Sequence, residues 1–285
     1  MTRKIGRQFL QIPGPTNVPD QVLRAIDQPV VDHRGPEFQE LTLGVLKGIK
    51  KVFKCTGPVV IFPSSGSGAW EAALVNTLSP GDRVLMVETG WFAVLWRDIA
   101  LKMGLTVDFI SGDWRRGVDA EAIAARLAAD EDRSIKAVAV VHNETSTGVT
   151  SDIAAVRKAI DGADHPALLL VDVISSLGSI DYRHDEWGVD VTVGGSQKGL
   201  MLPPGLGFNA LGEKAIAVSE EATLPRSYWD WGPVLEANRT GFYPYTPATN
   251  LLYGLDVALG MLFDEGLENV FARHTRLAEA TCRAV

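Results

Sequence analysis

The stretch VTVGGSQKGLMLPPGLG at residues 191–207 decides the fold assignment, because an apolar strand pattern ends there in two glycines and one lysine, Lys198. Glycines and prolines follow directly, which predicts that the chain turns sharply at this point. Removing a lysine ammonium from water is unfavourable unless its charge is neutralised or used. A lysine at the mouth of a buried strand is therefore either half of a salt bridge or a functional group.

The composition is that of an ordinary globular protein, and its charge argues against several classes of partner. The 285 residues are 46% hydrophobic and 22% charged, enough for one large or two modest domains. The net charge is −8, from 27 basic and 35 acidic residues, so we expect neither nucleic acid nor an acidic membrane as a partner. No apolar run approaches the roughly 18 residues of a membrane span, and the N-terminus lacks the apolar core of a signal peptide.

The two cysteines indicate a reducing compartment. Cys55 and Cys282 are far apart and have no His or Cys at ligand spacing, so we predict neither a disulfide framework nor a metal site. We expect a cytoplasmic protein.

Short β-rich runs alternate with helical patterns along the chain. The predicted strands are residues 59–63, 82–88, 134–142, 167–173, 190–195 and 205–211. AVAVV and ALLLV are apolar at successive positions, which is typical of strands buried on both faces. Asp152 is expected to cap the helix IAAVRKAI, and Pro36 to open another. We therefore predict an α/β fold with a mainly parallel sheet covered by helices on both faces.

Three unusual features fall at predicted strand ends, where ligands bind in open parallel sheets. SSGSGAW (64–70) is a glycine-rich turn that opens a helix and offers N–H groups to a phosphate, although a plain strand-to-helix turn is an equal alternative. Asp172 follows four apolar residues, and Lys198 ends a later strand. A phosphate site, a buried acid and a lysine that must be neutral to act as a nucleophile together suit pyridoxal phosphate.

Six motifs also carry a resemblance to a known family. They are QIPGPTNVPDQVL, PSSGSGAWEAAL, HNETSTG, VDVISSLGS, GGSQKGLMLPPGLGF and FYPYTPATNLLYGL. In this order they resemble the class V aminotransferases of fold type I, especially the serine–glyoxylate and alanine–glyoxylate members. The resemblance spans nearly the whole chain.

The resemblance implies a role for individual residues. Lys198 would form a Schiff base with pyridoxal phosphate, and Asp172 would bind its pyridinium nitrogen. Ser67, Gly68, Ala69 and Gln197 would hold the phosphate, Phe92 and Ile174 would pack on opposite ring faces, and Thr145 would bond the phenolic oxygen. Tyr243 and Thr246 would reach the phosphate of the other subunit, so we expect a homodimer with shared active sites. Asn17 would lie in the loop that lines the substrate pocket.

The resemblance also implies the domain organisation and the reaction. Residues 1–20 would form an N-terminal arm on the substrate side, 21–264 the large cofactor-binding domain, and 265–285 the start of a small C-terminal domain. We expect the rest of that domain to be missing, together with the arginine that clamps the substrate carboxylate. Because the natural C-terminus would then be absent, a peroxisomal location is the alternative to the cytoplasmic one. The expected reaction is transamination from a small L-amino acid, with serine favoured, to glyoxylate. Alanine, ureidoglycine, aminoethylphosphonate and pyridoxamine are alternative donors.

Other functions fit the residues less well. Gly66, Gly68 and the later Glu88 imitate a dinucleotide-binding fingerprint, but Glu71 stands where the third glycine belongs. GGSQK around Ser196 lacks the second glycine of a hydrolase elbow. Neither cysteine has the context of a desulfurase loop. A dimeric scaffold without enzymatic activity would have no use for a buried lysine.

Overall fold

Residues 9–284 are described in a computed structural model of the chain. Residues 1–8 of the predicted N-terminal arm, and Val285 of the predicted C-terminal segment, lie outside the described residues. None of the helices in residues 9–284 combines the length and the apolar composition that a membrane crossing requires.

The core of the described chain is one seven-stranded sheet with the order β1-β7-β6-β5-β4-β2-β3. Its strands are β1 (Val59–Phe62), β2 (Arg83–Val87), β3 (Thr106–Ile110), β4 (Ile135–Val141), β5 (Leu168–Asp172), β6 (Val191–Gly195) and β7 (Gly207–Leu211). Strands β3, β2, β4, β5 and β6 are parallel neighbours, whereas β7 pairs antiparallel with both β6 and β1. The prediction of a mainly parallel α/β sheet is confirmed.

Ten helices accompany this sheet within the described residues. They are α1 (Asp20–Ile26), α2 (Pro36–Phe53), α3 (Gly66–Thr77), α4 (Trp91–Lys102), α5 (Ala120–Ala128), α6 (Ile153–Gly162), α7 (Glu213–Glu221), α8 (Trp231–Asn238), α9 (Thr249–Glu265) and α10 (Leu267–Ala284). Buried side chains form two apolar clusters, one with residues of α1, α2, α5, α6, α9 and α10 and the other with residues of α3, α4, α7 and α8. Helices therefore cover both faces of the sheet, as the unbroken apolar strands predicted.

Local signals explain where several helices begin. The Asp152 side chain accepts a hydrogen bond from the Ala155 N–H and so caps α6, as expected, while Pro36 is the first residue of α2. Asp119 caps α5 in the same way, which the sequence analysis did not predict. The proposed boundary between residues 264 and 265 falls at the end of α9, and the division into an arm and two domains stays a prediction.

Candidate active site

A pocket of about 190 Å³ lies at the carboxyl ends of the parallel strands. Strand β1 is parallel to β6, since both pair antiparallel with β7, so β1, β4, β5 and β6 all end at this edge. The pocket is lined by Gly14, Pro15, Ser65, Gly66, Ser67, Trp70, Phe92, Val141, Asn143, Thr145, Asp172, Ile174, Ser175, Gln197, Lys198 and Pro204. Seven of the predicted site residues are among them: Ser67, Phe92, Thr145, Asp172, Ile174, Gln197 and Lys198.

Lys198 follows β6 and is half-buried at one wall of the pocket. Its Nζ donates hydrogen bonds to Pro13 O at 2.5 Å and to Thr145 Oγ1 at 3.2 Å, so its partners among residues 9–284 are neutral groups and not a salt-bridging acid. Burial lowers the pKa of Lys198, and the charges of Asp172 and Glu144 offset part of that effect. Both facts favour the functional alternative over a structural salt bridge.

Asp172 is the last residue of β5 and is 3% exposed. Its Oδ1 accepts a hydrogen bond from the Ile174 N–H at 2.6 Å, and its Oδ2 accepts one from the Trp70 indole Nε1 at 2.8 Å. Burial raises the pKa of Asp172 to about 7, although both of these donors act to lower it. A buried carboxylate of this kind favours a cationic partner, which would restore its ordinary ionisation.

The glycine-rich turn after β1 also lines the pocket. Ser65 is the N-cap of α3, and the Gly68 and Ala69 N–H groups both donate to Ser65 O, at 3.1 and 3.3 Å. Gly68 and Ala69 belong to this first turn without lining the pocket. A Cβ on Gly66 would stand 2.2 Å from Ile174 Cδ1, so this glycine allows the Ile174 side chain to approach the turn. The helix N-terminus favours an anion here.

Phe92 and Gln197 also line the pocket. Phe92, in the first turn of α4, has its ring centroid 6.0 Å from Lys198 Nζ. Gln197 Oε1 is buried and has no hydrogen-bond partner within residues 9–284, which leaves the amide of Gln197 available to a ligand.

Three predicted site residues lie elsewhere in the described protomer. Asn17 lines a neighbouring cavity of about 510 Å³ that shares Gly14 and Lys198 with the pocket, and its side chain bonds both backbone groups of Leu10. Tyr243 is half-buried with its ring 6.2 Å from that of Phe38, and Thr246 is exposed. Because the cross-subunit role was assigned to a second copy of the chain, it stays a prediction.

Three residues that shape the site had no sequence pattern that indicated their role. Trp70 stands inside a quoted motif, but its contact with Asp172, 102 positions away, is visible only in three dimensions. Gly14 adopts a φ of +119°, and a Cβ there would lie 2.7 Å from Lys198 Cδ. Glu144, in HNETSTG, is fully buried and binds the N-terminus of α4. The quoted motifs contained all three, without indicating their contacts.

The donor set of the pocket fits pyridoxal phosphate. The first turn of α3 offers a helix N-terminus and serines for a phosphate, Asp172 offers a carboxylate for a protonated ring nitrogen, and Lys198 supplies an amine with a lowered pKa. Phe92 and Ile174 add apolar surface to the pocket lining. We conclude that the residues present match the chemical groups of this cofactor.

Comparisons with known proteins agree with this geometry. A profile of the family described as Aminotransferase class-V matches residues 8–284. The chain is 53% identical to a serine–glyoxylate aminotransferase of Hyphomicrobium methylovorum, over 97% of this chain and 69% of that protein. It is 49% identical to an L-aspartate–glyoxylate aminotransferase of Paracoccus denitrificans, over 96% of this chain and 69% of that protein.

A solved structure shows the same similarity in three dimensions. The alanine–glyoxylate aminotransferase of Nostoc sp. superposes with a TM-score of 0.89 at 30% sequence identity, covering 98% of this chain and 74% of that one. The match covers the whole sheet and not only the motifs around the pocket. With the pocket chemistry and the family profile in agreement, this chain belongs to the class-V aminotransferases and uses pyridoxal phosphate as its cofactor.

Proposed function

We propose that this aminotransferase moves the amino group of a small L-amino acid, with L-serine the favoured donor, to glyoxylate, forming glycine and a 2-keto acid. The observation that carries the proposal is the grouping of Lys198, Asp172 and Phe92 around one pocket in a chain 53% identical to a serine–glyoxylate aminotransferase. Bound pyridoxal phosphate supplies an aldehyde that condenses with amines and a ring that accepts an electron pair.

Lys198 has two tasks in this proposal. With pyridoxal phosphate bound, the Lys198 amine would be the group that holds the cofactor aldehyde, and the same amine, when free, would accept and return the proton of the substrate α-carbon. The lowered pKa of Lys198 increases the neutral fraction that both tasks require. The Thr145 hydroxyl, 3.2 Å from Nζ, holds the amine beside the pocket.

The other site residues bind and orient the cofactor. Asp172 would bond the pyridine nitrogen, and a cation there would lower the pKa of Asp172 from its raised value. Phe92 and Ile174 would pack on opposite faces of the ring, and Thr145 would bond its phenolic oxygen. The residues that would hold the phosphate are Ser67, Gly68, Ala69 and Gln197. Asn17 lies on the substrate side, in the cavity next to Lys198.

We further propose a homodimer in which Tyr243 and Thr246 of the partner subunit complete the phosphate site. The Tyr243 hydroxyl is buried and lacks a hydrogen-bond partner in the described part of the protomer, which supports a role in an assembled site. Light scattering measures the mass of the protein in solution and should give that of a dimer. The substitution Tyr243→Phe should weaken cofactor binding without dissociating this dimer. A monomer that binds cofactor at full affinity would contradict this part of the proposal.

Replacing Lys198 is the direct test of the reaction. Lys198→Ala should abolish turnover and the absorbance of the lysine-bound cofactor. Borohydride reduction of the loaded wild-type enzyme, followed by peptide mapping, should place the cofactor on Lys198. Cofactor found on Lys158 or Lys214 instead would overturn the assignment.

The choice of amino donor needs its own measurement, because the Paracoccus relative is named for L-aspartate. Each candidate amine is mixed with loaded enzyme in the absence of glyoxylate, and the change in cofactor absorbance gives the rate of the first half-reaction. Serine should react faster than aspartate, alanine, ureidoglycine, aminoethylphosphonate and pyridoxamine. A faster reaction with aspartate would replace serine in the proposal and leave the rest intact.

A further inference from the structure

The Asp172 carboxylate accepts a hydrogen bond from a buried indole. Trp70 Nε1 donates to Asp172 Oδ2 at 2.8 Å, while the Ile174 N–H donates to Oδ1. Trp70 is 1% exposed and Asp172 is 3% exposed, so the bond between them lies in the protein interior. Because each carboxylate oxygen has more than one acceptor position, this arrangement leaves acceptor capacity directed at the pocket.

The Trp70 ring is itself fixed in orientation. It stacks on the ring of Trp96 with centroids 5.7 Å apart and an interplanar angle of 12°, and it contacts the ring of Phe92 at 6.4 Å. Trp96 is fully buried. The indole therefore cannot rotate its N–H away from Asp172 without repacking the cluster.

We propose that Trp70 is a positioning residue whose indole N–H keeps the Asp172 carboxylate ionised and directed at the pyridine nitrogen of the cofactor. The inference rests on the proposed role of Asp172. A buried carboxylate is stable in its charged form only when donors replace the lost water, and hydrogen bonds to charged groups are the stronger ones. Without the indole N–H, the carboxyl group would lose one of its two donors and become free to rotate.

This inference distinguishes Trp70 from a tryptophan that only fills space, and the neighbouring Trp96 provides the control. Both rings are buried and stacked on each other, but Trp96 Nε1 has no hydrogen-bond partner among residues 9–284. Trp70→Phe and Trp96→Phe thus remove the same atoms from the same cluster. Only the first removes a donor from a carboxylate.

The test loads each variant with pyridoxal phosphate labelled isotopically at the pyridine nitrogen and reads its protonation by NMR. Trp70→Phe should move the nitrogen signal toward the unprotonated position and lower kcat roughly tenfold to hundredfold, with KM little changed. Trp96→Phe should leave the signal at the wild-type position. Trp70→Met, whose flexible side chain fills the same space, gives a second reading if Trp70→Phe folds poorly.

Two outcomes would overturn the inference: a wild-type nitrogen signal in Trp70→Phe or Trp70→Met, or an equal displacement in Trp96→Phe. Asp172→Asn, measured in parallel, separates this failure from that of the proposed function. If Asp172→Asn leaves the nitrogen protonated, the role of Asp172 is wrong. If only the Trp70 variants leave it protonated, the role of Asp172 stands and Trp70 serves packing alone.

Discussion

Two buried carboxylates lie near the ends of neighbouring strands, and their hydrogen bonds separate a functional acid from a structural one. Within residues 9–284, Glu144 accepts bonds from the N–H groups of Phe92 and Ala93 and from both the N–H and the hydroxyl of Ser146. Asp172 accepts bonds from Trp70 and Ile174 only and lines the pocket. Glu144, which accepts from four donors within residues 9–284, links the end of β4 to α4. Asp172, which accepts from two donors there, can still accept a hydrogen bond from a ligand in the pocket.

The surroundings of the two acids support this distinction. A Cβ on Gly90 would stand 2.4 Å from Glu144 Cγ, so the glycine before α4 allows Glu144 to reach the helix N-terminus. That end of a helix favours a negative charge. Asp172 has no such helix end, and burial dominates the rise of its pKa. A carboxylate whose pKa is raised by burial is stabilised in its charged form by a nearby cation. A protonated cofactor ring would provide that cation.

Between the two acids, the larger effect on turnover is expected for Asp172→Asn, which keeps the shape of the side chain and removes its charge. We expect kcat to fall roughly 10²–10³-fold, because the charge that stabilises the ring is lost, while the cofactor still binds. Steady-state kinetics with serine and glyoxylate measure this. Asp190→Asn is the matched control, since Asp190 is also buried but bonds the Leu169 N–H away from the pocket. Near-normal kcat in Asp172→Asn would make Asp172 a structural acid.

A second effect, on the order of a few kcal/mol, concerns the pH dependence of the cofactor-free protein. A carboxyl group whose pKa is raised by folding binds more protons in the folded state, so its contribution to stability falls as pH rises from about 4 to about 7. The free energy of unfolding of wild type minus that of Asp172→Asn, from urea titrations at several pH values, should fall across this window.

The difference between the two free energies of unfolding is used because two buried histidines change stability with pH in the opposite direction. Burial lowers the pKa of His142 and of His184 to about 4, so their contributions are lost as the pH falls below about 6.5. The subtraction removes these contributions, since both proteins contain the same histidines. If the difference in free energy of unfolding stayed constant between pH 4 and pH 7, burial would not raise the pKa of Asp172 as we expect.

Glu144→Gln should affect stability more than chemistry. The substitution removes the charge at the N-terminus of α4 and replaces one acceptor oxygen by a donor, so we expect about 1–3 kcal/mol less stability. Urea unfolding measures this loss, and kcat should fall less than in Asp172→Asn. If kcat fell as far as in Asp172→Asn with stability unchanged, the contrast between the two acids would be wrong.

The smallest effect is expected for Ser146→Ala. The Ser146 hydroxyl donates to Glu144 at 2.8 Å and accepts a bond from the Trp91 N–H at 2.9 Å, at an exposed position where water can replace it. We expect a loss of about 1 kcal/mol in urea unfolding and little change in kcat. A larger loss than in Glu144→Gln would mean that the serine, and not the carboxylate, holds the start of α4.

Sequence patterns predicted the strands whose residues are apolar at every position, such as β4 and β5. They did not predict β3, where TVDFI is partly exposed and forms an edge strand through its parallel pairing with β2. The antiparallel direction of β7 was also not predicted, because an apolar run such as GFNAL carries no information on the direction of its neighbour. Strand pairing is a non-local choice, made when the sheet assembles.

By itself, the sequence determined which residues stand at strand ends: the turn at Ser67, the acid Asp172 and the lysine Lys198. Parallel strands bring their carboxyl ends to one edge, so these residues had to meet once the strands formed. The tertiary structure alone decided which groups hold them. Trp70 contacts Asp172 across 102 positions, and Gly14 packs on Lys198 because only a glycine fits there. Contacts of this kind depend on distances of a few ångströms between distant segments, which residue order does not encode locally.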